Sequence, residues 1–401
     1  MTPNDNPPLR RDTLLTHVGG SPTDRHGAVN PPVYRASTIL FPTVAEWEAS
    51  RVHANRFKVL RYGQLGTPTT FALEEAIAAL EGGYRAMLLP SGLAAATTVL
   101  LALLKSGDHL LMTDSAYQPT RHFAKVILAR YGIGTTFYDP CIGAAIESLM
   151  RPETRVIFLE SPGSITFDVQ DLPAIASVAH AHGALIAIDN TWATPYFLPA
   201  MQLGADVSII AATKYIGGHS DVLLGTVTTT EPLYERVRSM VAELGYSVSP
   251  DDAFLALRGL RTLGVRLERH QTSALQVAQW LQGRQEVKQV MHPALPTDPG
   301  HVIWKRDFTG ASGLFGVVLH PVPKAAVDAM LNALRLFGMG ASFGGFESLA
   351  IPMDSTRLRH LTGSADNRFI RIHVGLEDPS DLIADLEQGF AQLNAAASGT
   401  R

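Results

Sequence analysis

Three residue groups in this chain have types and spacing that could do chemistry. The first is Lys214, which follows the apolar run DVSIIAA and precedes a glycine turn in IIAATKYIGGHSD. A lysine desolvated at such a point loses proton affinity and becomes a nucleophilic amine, able to form a Schiff base with an aldehyde. The second is Asp189, which ends another apolar run, ALIAIDN. Open parallel sheets bind ligands outside the carboxyl ends of their strands. The third is LPSGLAAATTVLLALL, where a Ser-Gly turn sets the amides of Gly92 and Leu93 at a helix N-terminus, a ready place for a phosphate. No G-x-G-x-x-G or G-x-x-x-x-G-K-[ST] pattern is present there, so a nucleotide is not indicated. Each group alone has a plain structural reading: a turn-capping aspartate, an ordinary strand–helix turn, a lysine lying along apolar surface. Together they supply an amine, an acid and an anion cradle. Pyridoxal 5′-phosphate (PLP), an aldehyde with a basic ring nitrogen and a phosphate, needs all three.

Such groups must be positioned by a sheet. AMLLP, HLLMTD, RVIFLES, ALIAIDN and DVSIIAA are short apolar runs separated by helical patterns. Strands of this kind, buried on both faces, predict an α/β fold with a mostly parallel sheet flanked by helices. FALEEAIAALEGG reads as an amphipathic helix closed by glycine. Residues 1–62, rich in Pro, Asn and Arg, read as an arm that packs on something else. Residues 63–263 hold the strand–helix alternation, and residues 264–401 read as a smaller α+β domain. There LERHQTSALQVAQWLQGR predicts a long helix, GLFGVVLH and FIRIHVG predict strands, and Asp378 caps a closing helix with Pro379 in its first turn.

Composition narrows the partners. The chain has 401 residues, 46% hydrophobic and 17% charged, with net charge −4. That balance gives no basic footprint for nucleic acid. The single cysteine, Cys141, excludes an internal disulfide and fits a reducing compartment. The N-terminus lacks the apolar core of a signal peptide. Ala86 to Leu104 imitates a membrane span, but Pro90, Ser91 and Gly92 divide it into a strand and a buried helix. His180 and His182 fall on different faces of a helix, so no metal site is expected there.

The motifs AATKYIGGHSDVLLGT, ESPGSITFDV, IDNTWA, LRGLRTLGVRLERH, HPALP, WKRDFTG, SFGGFESL and IRIHVGLED resemble the cysteine and methionine metabolism family of PLP enzymes, from about Tyr62 to Leu393. ESPGSIT and SFGGFESL are most similar to its branch of bacterial cystathionine β-lyases. The resemblance implies fold type I and α,β-elimination of a thioether amino acid, cystathionine first. Broader cysteine-S-conjugate or cysteine/cystine cleavage is the alternative, and γ-elimination the next. It implies that Lys214 is the Schiff-base lysine and moves the Cα proton, that Asp189 pairs with the ring nitrogen, and that Tyr117 covers the ring. It implies that Gly92, Leu93 and Thr213 hold the phosphate, that Tyr62 reaches the phosphate of a neighbouring subunit, and that Arg371 and Ser342 take the substrate carboxylate. A cytoplasmic homotetramer built from dimers with shared active sites is implied as well, with a small amino acid as substrate.

Three positions depart from the family pattern. Gln64 stands where an arginine is expected, Phe343 where similar β-lyases carry tryptophan, and Ala341 where they carry tyrosine. The last two bear on the distal substrate pocket. Arg61, in an extended segment, is expected to face away from Gln64, unless the turn at Gly63 swings it round. Two readings from other classes compete. GASFG, Gly340–Gly344, matches the G-x-S-x-G elbow of α/β-hydrolases, with His360, His373, Asp354 and Asp366 as triad candidates. The other is a PLP fold kept as a regulator, for which Lys214 and Asp189 would be unnecessary.

Overall fold

The computed structural model describes residues 9–52, 58, 60–353 and 368–398. The larger sheet is built from β1 (Arg85–Leu89), β2 (His109–Thr113), β3 (Gly134–Tyr138), β4 (Thr154–Glu160), β5 (Leu185–Asp189), β6 (Val207–Ile210) and β7 (Gly225–Thr229). Their order is β1-β7-β6-β5-β4-β2-β3. All neighbours are parallel except the two pairs made by β7, which runs against β1 and β6.

The apolar runs follow from this arrangement. Along β4, Ile157 and Leu159 face one hydrophobic core while Val156 and Phe158 face the other. A strand covered on both sides cannot alternate apolar with polar residues. Each fully buried aliphatic side chain there contributes roughly 1.5–3 kcal/mol. The stretch that imitates a membrane span is β1 followed by the helix Gly92–Leu103, and among the described residues no helix is long and apolar enough to cross a membrane.

β4, β5 and β6 end side by side. Glu160 is in register with Asp189, and Asp189 with Ile209. Side chains alternate along a strand, so Glu160 lies on the face of Phe158 and Asp189 on that of Ala187. Both faces belong to the same core, which also holds Ala95 and Val99 of the helix Gly92–Leu103. The two carboxyl groups therefore emerge together at the carboxyl edge of the sheet, beside that helix.

A second, antiparallel sheet has the order β10-β11-β9-β8, from β8 (Val287–Met291), β9 (Leu314–Leu319), β10 (Leu349–Met353) and β11 (Arg368–His373). The helices Leu263–Gln282 and Pro379–Ser398 pack against it through Ala274, Val277, Leu281, Leu382, Leu386 and Phe390. Asp378 accepts from the Ser380 amide at 2.8 Å, the cap the sequence predicts. β11 carries Arg371 from this sheet toward the ends of β4 to β6.

Candidate active site

A cavity of about 290 Å³ opens at the carboxyl edge of the larger sheet. Its walls include Ser91, Gly92, Leu93, Tyr117, Asp189, Thr213, Lys214, Ala341, Ser342, Phe343 and Arg371, which brings together all the expected site residues except Tyr62.

Lys214 sits in the turn after β6, its amide bonded to the Ala211 carbonyl and its own carbonyl to the Gly218 amide. Its Nζ donates to Ser342 Oγ at 2.8 Å and lies 5.0 Å from the centre of the Phe343 ring. Burial, then the charge of Arg371, lowers its pKa from the ordinary 10.5 to about 8, against the opposing pull of Asp189. This is the desolvated amine that the apolar run predicts. Asp189 Oδ1 accepts from the Thr191 amide at 3.0 Å and from the Thr191 hydroxyl at 2.5 Å. Burial raises its pKa, while the Thr191 bonds and Lys214 oppose that rise. Thr191 Oγ1 also accepts from the Ala211 amide at 2.8 Å, tying the Asp189 turn to the segment that carries Lys214.

The anion cradle is equally local in origin. Ser91 caps the helix Gly92–Leu103, its Oγ accepting from the Ala94 amide at 3.1 Å. The first amides of a helix have no partner within it, and those of Gly92 and Leu93 stand at the cavity wall. Gly92 is required by packing: a Cβ there would stand 2.5 Å from the Ala211 Cβ. Thr213 lines the cavity, but its hydroxyl is held by Leu224, accepting from the amide at 2.9 Å and donating to the carbonyl at 3.2 Å.

The opposite wall comes from the second sheet. Arg371 Nη2 donates to the Ser342 carbonyl at 3.0 Å, and burial pulls its pKa down. Phe343 packs on Tyr215 with ring centres 5.8 Å apart. Trp192, another wall residue, donates from Nε1 to the Leu314 carbonyl at 2.8 Å, joining the end of β5 to β9.

Glu160 is the functional-site residue that sequence reasoning missed. It lines the cavity beside Asp189. Its Oε2 accepts from the Tyr117 amide at 2.6 Å. Burial, then the charge of Asp189, pushes its pKa well above the ordinary carboxylate range. The signal was available: RVIFLE ends in a carboxylate just as ALIAID does. Thr191 was missed too, although it follows Asp189 at the spacing of an aspartate-capped turn.

Tyr62 lies apart from Lys214, 49% exposed, in a separate pocket with Thr38, Ile39, Trp47, Arg61, Gln64 and Leu65. The open alternative for Arg61 is the one found there: a short turn, Gly63–Leu65, follows Tyr62, and Arg61 and Gln64 both line this one pocket. Arg61 lies over Trp47, 5.2 Å from its ring centre, and Gln64 Nε2 donates to the Ala242 carbonyl at 3.4 Å.

The hydrolase reading lacks its geometry. A nucleophile elbow runs strand–Ser–helix, whereas the segment after Ser342 runs through bends into β10. His373 accepts from the Gly344 amide rather than from Ser342. Asp354, His360 and Asp366 lie outside the described residues.

Two cations, two carboxyl groups and a helix N-terminus thus converge on one cavity at the edge of an α/β sheet, the layout of a lysine-based site for an anionic cofactor. Residues 12–391 match the model of the family described as Cys/Met metabolism PLP-dependent enzyme, and the chain belongs to that family. It is 47% identical to the cystathionine beta-lyase of Bordetella avium, over 94% of this chain and 97% of the other. It is 44% identical to the cystathionine beta-lyase MetC of Escherichia coli K12, over 95% and 98%. The solved structure of metB from Corynebacterium glutamicum superposes with a TM-score of 0.87 at 31% identity, covering 96% of this chain and 98% of that one. The cofactor is PLP, and the donor set fits it: a carboxylate for a ring nitrogen, amides for a phosphate, and a low-pKa amine for an aldehyde.

Proposed function

We propose that this protein is a carbon–sulfur lyase that cleaves the Cβ–S bond of thioether amino acids, with cystathionine as its substrate. The reaction converts cystathionine and water to homocysteine, pyruvate and ammonia. The observation that carries the reading is the 2.8 Å contact of Lys214 Nζ with Ser342 Oγ, between Arg371 and Asp189, for an amine with a pKa of about 8.

When bound, PLP supplies an aldehyde for the substrate amine and a sink for the electrons left at Cα. The protein's own residues do the rest. Asp189 holds the proton on the ring nitrogen. Gly92 and Leu93 would hold the phosphate, joined by Thr213 once its hydroxyl turns from the Leu224 carbonyl, and Tyr117, its backbone pinned by Glu160, would cover the ring. Arg371 and Ser342 orient the substrate carboxylate, which places Cα within reach of Lys214. Lys214 Nζ takes the Cα proton; an amine of pKa about 8 is a far better base near neutral pH than an ordinary lysine. Phe343 lies against Lys214 and Ala341 beside it on the wall, so both shape the space for the leaving thiol.

Tyr62 and the arm belong to a second part of the proposal. The arm exposes Leu40, Val44, Trp47 and Tyr62, apolar surface suited to burial against another copy of the chain. A homotetramer with shared sites, in which Tyr62 reaches a neighbour's phosphate, and a cytoplasmic location complete the reading. The test is to load purified protein with PLP, supply cystathionine, and measure pyruvate and free thiol together. Equal yields of the two are expected. 2-Oxobutyrate in place of pyruvate would mean γ-cleavage and overturn the assignment.

A further inference from the structure

β11 offers two side chains to the segment that carries Ser342. Arg371 and His373 are alternate residues, so they lie on one face of the strand. Arg371 Nη2 donates to the Ser342 carbonyl at 3.0 Å, and the Gly344 amide donates to His373 Nε2 at 3.1 Å. The segment between Gly340 and Ser348 has no helix or strand of its own, so its backbone groups must find partners in neighbouring elements. Phe343 is held between the two tethers. Gly344, at φ +82°, packs on the main chain of Lys214: a Cβ there would stand 2.8 Å from the Tyr215 nitrogen and 2.9 Å from the Lys214 carbonyl carbon. The tether at Gly344 therefore sets how closely Ser342 and Phe343 approach the reactive amine.

A second histidine backs the first. His270, on the helix Leu263–Gln282, is fully buried, as is His373, and their ring centres are 5.2 Å apart. His270 Nδ1 lies 2.8 Å from the Val374 carbonyl, so Nδ1 carries the hydrogen and Nε2 keeps a lone pair. The Gly344 amide needs an acceptor at His373 Nε2, so that ring carries its hydrogen on Nδ1; the Gly345 carbonyl, at 3.3 Å, is the longer contact. The two remaining nitrogens, His270 Nε2 and His373 Nδ1, have no hydrogen-bond partner among the described residues, so the two rings meet by packing rather than by a hydrogen bond. Burial foremost, then His270, and also Arg371 and Lys214, hold the His373 pKa well below its ordinary value.

We propose that His373, backed by His270, is a positioning residue for the substrate pocket: by accepting from the Gly344 amide it holds Ser342 and Phe343 against Lys214. This rests on the reading that Ser342 and Arg371 receive the substrate carboxylate. The test uses PLP-loaded enzyme with His373→Gln, His373→Asn and His373→Leu. A glutamine carbonyl reaches the place of Nε2, whereas an asparagine carbonyl reaches only that of Nδ1. His373→Gln should keep KM for cystathionine within about threefold of wild type. His373→Asn and His373→Leu should raise it roughly tenfold, the size of one lost hydrogen bond, with a smaller change in kcat and the cofactor's visible absorbance retained. The same series is measured with glycine, which has no Cβ group to lose, through its perturbation of that absorbance. A wild type that binds glycine but leaves cystathionine intact overturns the proposed function, while the glycine constants still test His373. Equal behaviour of the Gln and Asn variants overturns the positioning role. So does a Gln variant that fails to fold, since it retains the one acceptor the role requires.

Discussion

The two walls of the cavity are built by different means. The cofactor wall is made of element ends: β5 delivers Asp189, β4 delivers Glu160, the turn after β6 delivers Lys214, and the helix Gly92–Leu103 delivers its amides. Its parts are fixed by sheet register and helix geometry. The substrate wall is a segment without regular structure, tied to Lys214, Arg371 and His373 by single hydrogen bonds. A wall built from register changes only if the fold changes, whereas a wall built from tethers can be altered one bond at a time. Of the three departures that the resemblance implies, Ala341 and Phe343 lie on the tethered wall, while Gln64 lies on neither wall.

The largest effect should come from breaking the cofactor wall at its reactive group. Lys214→Ala removes the group proposed as the base and as the amine that anchors PLP. Turnover should fall by at least roughly 10²–10⁴-fold, the contribution of one positioned acid–base group, and the visible absorbance of the bound cofactor should disappear. Turnover near wild type would refute the role. The cofactor-free protein gives a pH test. Lys214 ionises near 8 in the folded chain against an ordinary 10.5. Between those values the unfolded chain binds more protons, so the stability contributed by this group rises with pH across that window. Below 8 the cost of the buried ammonium is fully present. In Lys214→Met that rise should be missing from melting curves recorded across the same range.

Breaking the substrate wall should look different. Arg371→Lys keeps a positive charge but loses the planar fork that meets a carboxylate with two bonds. KM for amino-acid substrates should rise roughly ten- to a hundredfold, with the cofactor absorbance unchanged. Unaltered kcat/KM would place the substrate carboxylate elsewhere. The contrast with Lys214→Ala is the point: one variant loses the cofactor signal and the other keeps it.

How much of each wall could be read in the sequence follows from how it is built. Lys214 and Asp189 end apolar runs, and burial on both sheet faces makes such runs conspicuous. The Ser91–Leu93 turn was legible because Pro90, Ser91 and Gly92 interrupt hydrophobic sequence. β7, GTVTT, escaped notice: it is fully buried, yet threonine and glycine give it no hydrophobic run. β3, GTTFY, is an edge strand and mostly half-exposed. His373 was visible only as a triad candidate. Its true neighbours, Gly344 and His270, become neighbours through tertiary packing, which no local pattern encodes. The place of Arg61 turned on whether the chain stays extended or turns at Gly63, and only the structure decides for the turn.

A smaller effect would sharpen the picture of the cofactor wall. Thr191 gives Asp189 two hydrogen bonds, and an isosteric valine deletes the side-chain one, at 2.5 Å, together with the acceptor of the Ala211 amide. Thr191→Val should weaken PLP binding about tenfold, the size of one hydrogen bond to a charged acceptor. Because the Thr191 bonds oppose the rise that burial imposes on Asp189, their loss lets the carboxyl protonate at higher pH. The deficit in PLP affinity should therefore grow as pH falls. A constant deficit would mean that Thr191 acts through its bond to the Ala211 amide or through packing rather than through Asp189.

The smallest effect is expected at Glu160, although it stands in register with Asp189 on the neighbouring strand. Two neighbouring carboxyl groups cannot both stay ionised in a buried site without a large cost. Burial and the charge of Asp189 raise Glu160 well above the ordinary range, while the Thr191 bonds and Lys214 favour the ionised form of Asp189, so the balance favours the proton on Glu160. Its service to the site is then steric and hydrogen-bonding: Oε2 accepts from the Tyr117 amide at 2.6 Å. Glutamine offers the same acceptor with no charge, so Glu160→Gln should leave PLP affinity and kcat within about twofold. Glu160→Ala strips the Tyr117 amide of its acceptor, a loss of roughly 1–3 kcal/mol. Stability supplies an independent sign. A carboxyl raised on folding stays protonated in the native chain at pH values where the unfolded chain has released its proton. Its contribution is full below the ordinary carboxylate value, 4.5, and declines as pH rises from there toward the folded value. Glutamine undergoes no such decline. Glu160→Gln should therefore melt higher than wild type at neutral pH and show no such advantage in acid. A variant that melts lower at neutral pH would mean that Glu160 carries a charge the site needs, and that the proton between the two carboxyl groups resides on Asp189 instead.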